Sequence, residues 1–170
     1  YKREDFIVLQ NIIRETWHYD DLSSPKTAQR LAGVFLSSCL TNYTYSRVAL
    51  DNGKPVGIIL LNNKAKHKCP LGLKFQQIRE IISLYLSKEG RKVSKIFESV
   101  SDIDKKLLNE CDIEYPAELA LFAVKPSYRG KGIGKQLFQS ALDYMKEQKL
   151  NTFYLFTDTS CNYEFYEHQG

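Results

Sequence analysis

A glycine-rich segment at residues 129–134, which reads Arg-Gly-Lys-Gly-Ile-Gly, constrains the fold of this chain more than any other feature. It follows a short apolar run at residues 118–124, bounded by Pro116 and Pro126, as is typical of a buried strand. Downstream, apolar residues recur at helical spacing: Ile133, Leu137, Phe138, Ala141 and Met145. The sequence therefore predicts a strand, a glycine turn and a helix, with the glycines at a helix N-terminus whose N–H groups can bind phosphate.

The spacing of the glycines separates three phosphate-binding motifs. A dinucleotide fingerprint that starts at Gly130 requires glycine at position 135, which is Lys135. A P-loop requires a longer spacing between its glycines and a Ser or Thr after the lysine, and this segment has neither. The pattern that remains is Arg129, two residues, Gly132, one residue and Gly134. A glycine-rich turn that binds no ligand is the alternative.

Composition and charge set only broad limits. At 170 residues, with 43% apolar residues, the chain has the size and composition of one globular domain. A net charge of +4 suits an anionic ligand without requiring nucleic acid. Because no apolar run reaches membrane-spanning length and no signal-peptide core is present, we expect a cytoplasmic protein with no membrane partner. We expect no bound metal, since the cysteines lack metal-ligand spacing: Cys39, Cys69, Cys111 and Cys161.

The N-terminal part of the chain predicts two helices and a hairpin. Asp5 precedes one apolar stripe, and Ser24 with Pro25 is typical of a second helix start. Two β-rich runs at residues 45–50 and 56–61 flank an Asn-Gly pair, which favours a tight hairpin turn. The two helices are joined by an aromatic and acidic loop that contains Trp17, His18, Tyr19 and Asp20.

Residues 62–112 interrupt the β pattern with two helical apolar stripes, broken near Gly90. We expect these stripes to be buried, either against the same chain or in a homodimer, at Phe75, Ile78, Ile82, Phe97 and Val100. Lysine and arginine residues in the first half raise the alternative of a nucleic-acid surface. Acidic residues return by Glu98 and aromatic interleaving is poor, so nucleic acid is not an expected partner.

Beyond the glycine loop and its helix, residues 152–156 predict a strand and residues 161–168 a short helix. With this order of strand, glycine loop, long helix, strand and short helix, residues 116–170 resemble the GNAT superfamily of N-acetyltransferases. The resemblance implies one α/β (α+β) domain over residues 1–170, with a mostly antiparallel central sheet flanked by helices and a strand splayed at the acetyl-CoA site. The segment 62–112 would be a helical insertion between the third and fourth strands. Because the sequence stops at Gly170, we also expect a C-terminal strand to be missing from it.

The function that the resemblance implies is that of an acetyl-CoA-dependent N-acetyltransferase, which is an acyltransferase. Acetyl-CoA would be the co-substrate, and a primary amine of a small molecule or peptide would attack its thioester directly in a ternary complex. A CoA-binding regulatory module without turnover is the alternative. The identity of the acceptor amine does not follow from the sequence, because acceptor-facing residues lie on variable loops.

The resemblance also implies roles for individual residues. Glu118 matches the general base, with a water chain or a surface position as alternatives, and Tyr166 matches the acid that protonates the departing thiolate, with a structural tyrosine as the alternative. A bulge would leave the N–H of Phe122 or Val124 free for the oxyanion and the pantetheine arm. The full implied cofactor site is Phe122, Ala123, Val124, Arg129, Gly130, Lys131, Gly132, Ile133, Gly134, Lys135 and Asn162. The implied acceptor site is the loop of Trp17, His18, Tyr19 and Asp20.

Overall fold

The predicted hairpin forms and supplies two of the three strands of a sheet. In the computed structural model, which describes residues 1–157 and 164–167, β1 (Tyr45–Asp51) pairs antiparallel with β2 (Lys54–Asn63). Asn52 and Gly53 take positive φ angles of 49° and 77° in the turn between them. On its other side β2 pairs antiparallel with β3 (Ala117–Val124), so the strand order in the described residues is β1-β2-β3.

Helices cover both faces of this sheet. The α-helices of the described residues are α1 (Phe6–Thr16), α2 (Pro25–Thr41), α3 (Leu71–Tyr85), α4 (Lys88–Asn109), α5 (Ile133–Glu147) and α6 (Glu164–Glu167). On one face Leu9 of α1 and Leu36 of α2 share a core with Ile58 of β2. On the other face Leu137 of α5 packs in a second core with Ile59. The predicted α/β fold, an antiparallel sheet flanked by helices, is confirmed.

The insertion is a helical pair, as predicted, but its position and its break differ from the expectation. It lies between the second and third strands of the described sheet. The break between α3 and α4 falls at Leu86 and Ser87, and Gly90 belongs to the first turn of α4. The Ser87 hydroxyl accepts a 2.9 Å hydrogen bond from the Gly90 N–H, which caps α4.

The apolar stripe of α3 faces away from the core. Phe75, Ile78 and Ile82 are 70%, 51% and 55% exposed, so the expectation that they are buried against the same chain is wrong. Val100 of α4 is also exposed, at 49%. Phe97 is half-buried and meets the Tyr19 ring edge-on at 5.5 Å between centroids. Burial of the exposed stripe against a second copy of the chain stays a prediction.

A different face of α3 packs against α2, for a reason that apolar periodicity does not reveal. Gly33 of α2 leaves room for the side chains of Gln10 and Glu80, whose terminal atoms occupy the space where a Cβ would lie. Gln76 and Leu84 of the same α3 face are buried. The close approach at Gly33 thus belongs to the mixed face of α3, and the apolar stripe lies outside.

None of the helices in the described residues is both long enough and apolar enough to cross a membrane.

Candidate active site

The glycine loop ends at the N-terminus of α5, as predicted. Gly132 is the N-cap of α5 with φ of 77°, and Gly130 has φ of 75°. A Cβ at either position would meet no described atom within 4 Å, so backbone conformation rather than crowding requires glycine here. Within the described residues no side chain caps α5, which leaves the N–H groups of its first turn available to an anion.

Cationic side chains surround this loop. Arg129, Lys131 and Lys135 are all exposed. The Lys131 ammonium lies 4.4 Å from the centre of the Tyr128 ring, and the Tyr128 hydroxyl donates a 2.7 Å hydrogen bond to Asp51. That hydrogen bond, with a smaller contribution from burial, raises the pKa of Tyr128. The loop is thereby anchored to the β1–β2 hairpin while its positive charges remain at the surface.

A β-bulge in β3 sets the direction of its backbone groups. Leu60 pairs with Leu121 and Leu61 with Leu119, so Ala120 is the extra residue. At the end of β3 the Lys125 N–H donates to the Val56 carbonyl of β2 at 2.8 Å. Strand alternation from that bond directs the N–H groups of Phe122 and Val124 to the opposite edge of β3. The predicted bulge is therefore present, and both named amides face the edge away from β2.

Within the described residues, that outer edge of β3 opens after a single bridge. The Leu119 N–H donates to the Tyr154 carbonyl at 2.9 Å, and Glu118 and Tyr154 form an isolated parallel bridge. Residues 152–156 were predicted to form a strand, and in the structure only Tyr154 pairs. The bulge at Ala120 reverses the phase of β3 directly after Leu119, so the two segments lose their hydrogen-bonding register.

Aromatic side chains connect the glycine loop, β3 and α6. The Phe122 ring lies 5.4 Å from the Phe165 ring and 6.3 Å from the Tyr166 ring, between centroids. A Cβ on Gly134 would come within 3.5 Å of Phe122 and 3.7 Å of Phe165, which are ordinary contacts. Tyr166 is half-buried in this cluster, where it also meets Phe138. The structure thus brings Tyr166 next to the open edge at Phe122.

Glu118 lies at the other end of β3, in a polar network. The Asn42 side-chain amide donates to a Glu118 carboxylate oxygen at 2.5 Å, and Asn62 donates to the Asn42 carbonyl oxygen at 2.7 Å. Burial, followed by the charge and the hydrogen bond of Glu118, raises the pKa of Tyr154, so this phenol remains protonated at neutral pH. Glu118 is therefore held by Asn42, which directly follows α2, and by Tyr154 in the segment after α5, while Asn62 of β2 supports Asn42.

Beside this carboxylate lies an aromatic surface that already contacts a cation. The rings of Tyr115 and Tyr154 lie 5.8 Å apart between centroids. The Lys64 ammonium lies 4.7 Å from the centre of the Tyr154 ring, within the range of a cation–π interaction. An alkylammonium group is therefore compatible with the surroundings of Glu118.

The acceptor loop of the sequence prediction makes its described contacts elsewhere. Trp17 meets the Phe35 ring at 5.2 Å, and Tyr19 is buried against α4. Asp20 binds Arg14 at 2.6 Å, and this hydrogen bond lowers the pKa of Asp20. His18 is exposed at a positive φ of 51°. Trp17 and Tyr19 belong to the core on the α1–α2 face of the sheet, so the loop stays a predicted acceptor site without a described contact to Glu118.

Ala123 and Asn162 were also predicted to belong to the cofactor site. Ala123 is buried opposite Ile58 of β2, so its side chain serves packing. Asn162 lies outside the described residues, as does Cys161. Sequence reasoning missed Asn42, Asn62 and Tyr154. Asn62 carried a usable signal, since it ends an apolar run that is otherwise typical of a buried strand.

Comparison with known proteins adds a family match at the C-terminal part of the chain. The model of the acetyltransferase (GNAT) family matches residues 108–170, which include β3, the glycine loop and α5. Among solved structures, one similar chain is a GNAT family acetyltransferase from Brucella melitensis in complex with acetyl-CoA. The two chains share 14% identity with a TM-score of 0.48, and the match covers 98% of this chain and 77% of that one. No curated protein matches the sequence.

Proposed function

We propose that this chain, whose residues 108–170 match the model of the GNAT acetyltransferase family, is a GNAT-type enzyme that transfers the acetyl group of acetyl-CoA to a primary amine. The acceptor would be a small molecule or a peptide, and the amine would attack the thioester directly in a ternary complex. The observation that carries this proposal is the edge of β3 that is open in the described residues and runs from the glycine loop to the Glu118 carboxylate.

The cofactor path follows that edge. The pyrophosphate of acetyl-CoA would bind the N–H groups at Gly132 and the first turn of α5, with Arg129, Lys131 and Lys135 neutralising its charge. The pantetheine arm would then run along β3 and hydrogen-bond the N–H groups of Phe122 and Val124, as an added strand does. This path brings the thioester close to the bulge at Ala120, where one of these N–H groups can stabilise the oxyanion.

Glu118 and Tyr166 would lie on opposite sides of that thioester position. Tyr166 contacts Phe122, and Glu118 is four strand residues away from Phe122, roughly 13 Å in an extended strand. At that separation the carboxylate would remove the amine proton through an intervening water, since direct transfer requires hydrogen-bond distance. Tyr166 would donate its proton to the thiolate as CoA leaves. The glutamate base and the water chain would then act together rather than as alternatives.

The surroundings of Glu118 support a primary amine as the acceptor. An alkylammonium is charged at neutral pH, since its pKa is about 10.4, and it needs both a counter-charge and a base. Glu118 would supply both, and the Tyr115 and Tyr154 rings would supply a face for the cation. The Lys64 contact supports an acceptor with a primary amine on a methylene chain, because Lys64 presents the same kind of group to Tyr154.

The test is CoA thiol release from acetyl-CoA in the presence of a panel of primary amines, with mass spectrometry of the acetylated product. Calorimetric titration with CoA should be run in parallel. Amine-dependent release supports the transferase. Tight CoA binding with no release for any amine in the panel supports the alternative, a regulatory module without turnover.

A further inference from the structure

We infer that Asn42 and Asn62 are positioning residues that hold the Glu118 carboxylate in a fixed orientation for proton removal. The inference rests on the proposed function, since it requires that Glu118 act as the base. It concerns two residues outside the glycine motif, one at the end of α2 and one at the end of β2.

The two amides form a relay with one direction. An ionised carboxylate only accepts hydrogen bonds, so Asn42 must present its NH2 group to Glu118. Its carbonyl oxygen then faces Asn62, which must in turn present its own NH2 group. Asn62 lies directly opposite Glu118 in the register of β2 and β3, so the sheet itself sets the spacing of the relay. Every donor in the relay therefore points towards the carboxylate.

The relay is costly for folding. Asn62 is only 4% exposed, and its side-chain oxygen is buried without a hydrogen-bond partner among the described residues. A buried unsatisfied polar atom destabilises a fold, and an apolar residue would suit this buried end of β2 better. Stability alone therefore does not account for the pair Asn42 and Asn62, whereas a role in orienting Glu118 does.

The titratable groups that face Glu118 from other elements remain protonated. Burial, with a contribution from the Glu118 charge, raises the pKa of the Cys39 thiol of α2 to about 12. Tyr154 also stays neutral, and the Lys64 ammonium lies over its ring. No second negative charge from these groups competes with Glu118. The relay is thus free to act on one carboxylate.

A double-mutant cycle tests whether Asn42 acts through Glu118. Asn42→Ala should lower kcat/KM for the amine about 10-fold or more and leave the acetyl-CoA Kd unchanged, since the cofactor path does not include it. In a Glu118→Gln background, Asn42→Ala should cause no further loss of rate. Asn42→Asp keeps the size of the side chain while replacing the donor with an acceptor. It should lower kcat/KM for the amine at least as much as Asn42→Ala does.

Asn63→Ala is the matched control. Asn63 is equally buried, adjacent to Asn62, and accepts a 3.1 Å hydrogen bond from the Ala65 N–H instead of contacting Glu118. It should lower Tm and leave the rate unchanged. Equal losses for Asn42→Ala in both backgrounds, or an unchanged rate in the Asn42 variants, would overturn the inference while the proposed function stands. A wild-type protein that acetylates no amine would overturn both.

Discussion

Leu119 and Tyr154 are joined by a 2.9 Å backbone hydrogen bond, and beyond this pair the outer edge of β3 is open in the described residues. The bulge at Ala120 follows immediately and turns the N–H groups of Phe122 and Val124 towards that edge. The same short stretch therefore ends one strand pairing and presents two donors for another. Under the proposed function, the pantetheine arm would pair with these donors as an added strand does.

Gly132→Val and Gly134→Val should nearly abolish CoA binding measured by calorimetry. A branched side chain at either position would collide with the pyrophosphate and displace the backbone that binds it. Gly53→Val is the control, because Gly53 has the same φ of 77° as Gly132 but lies in the hairpin turn. It should be strained to a similar degree and still bind CoA. Unchanged binding in both loop variants would reject the site.

Tyr166→Phe should lower kcat by about 100-fold while changing the acetyl-CoA KM little, because the hydroxyl acts on the leaving thiolate. Steady-state kinetics with a saturating amine measures both constants. Tyr144→Phe is a suitable control. Tyr144 lies on α5, away from α6, and its hydroxyl contacts the Thr44 hydroxyl at 3.1 Å. Full turnover by the Tyr166 variant would mean that another group or solvent protonates CoA.

The sequence predicted the parts of the site that depend on local chemistry. The hairpin at Asn52 and Gly53 and the helix start at Gly132 follow from backbone preferences of single residues, so they were predictable. The relay at Asn42 was not, because its contact with Glu118 spans 76 positions in the sequence. The buried face of α3 was missed for a related reason. Which face of α3 is buried depends on the space above Gly33 of α2 rather than on the apolar periodicity of α3 itself.

Glu89 should make stability depend on pH. Hydrogen bonds from the side chains of Ser24 and Thr27 and from the Ser24 N–H lower the pKa of Glu89 from 4.5 to about 2. A lowered pKa in the folded state stabilises the fold above pH 4.5, and this stabilisation is lost as the pH falls towards 2. The Tm difference between wild type and Glu89→Gln should be largest above that window and vanish at its lower end. A constant difference would contradict the assignment.

Phe97→Ala and Ile82→Glu separate the packed part of the insertion from its exposed stripe. Phe97 packs on Tyr19, so its truncation should cost about 2 kcal/mol, below the cost at a fully buried site. Ile82 is 55% exposed, so Ile82→Glu should change the free energy of unfolding by less than about 0.5 kcal/mol in a monomer. Urea unfolding at two protein concentrations measures both. A larger cost for Ile82→Glu that grows with concentration would indicate the homodimer.

The most direct test of the account is a crystal structure of the protein with CoA bound. We expect the pyrophosphate on the N–H groups at Gly132 and the first turn of α5, and the pantetheine arm hydrogen-bonded to the N–H groups of Phe122 and Val124. The thiol should then lie between Tyr166 and Glu118. CoA bound elsewhere, or a protein segment paired along β3 from Phe122 to Val124 in the complex, would contradict the account.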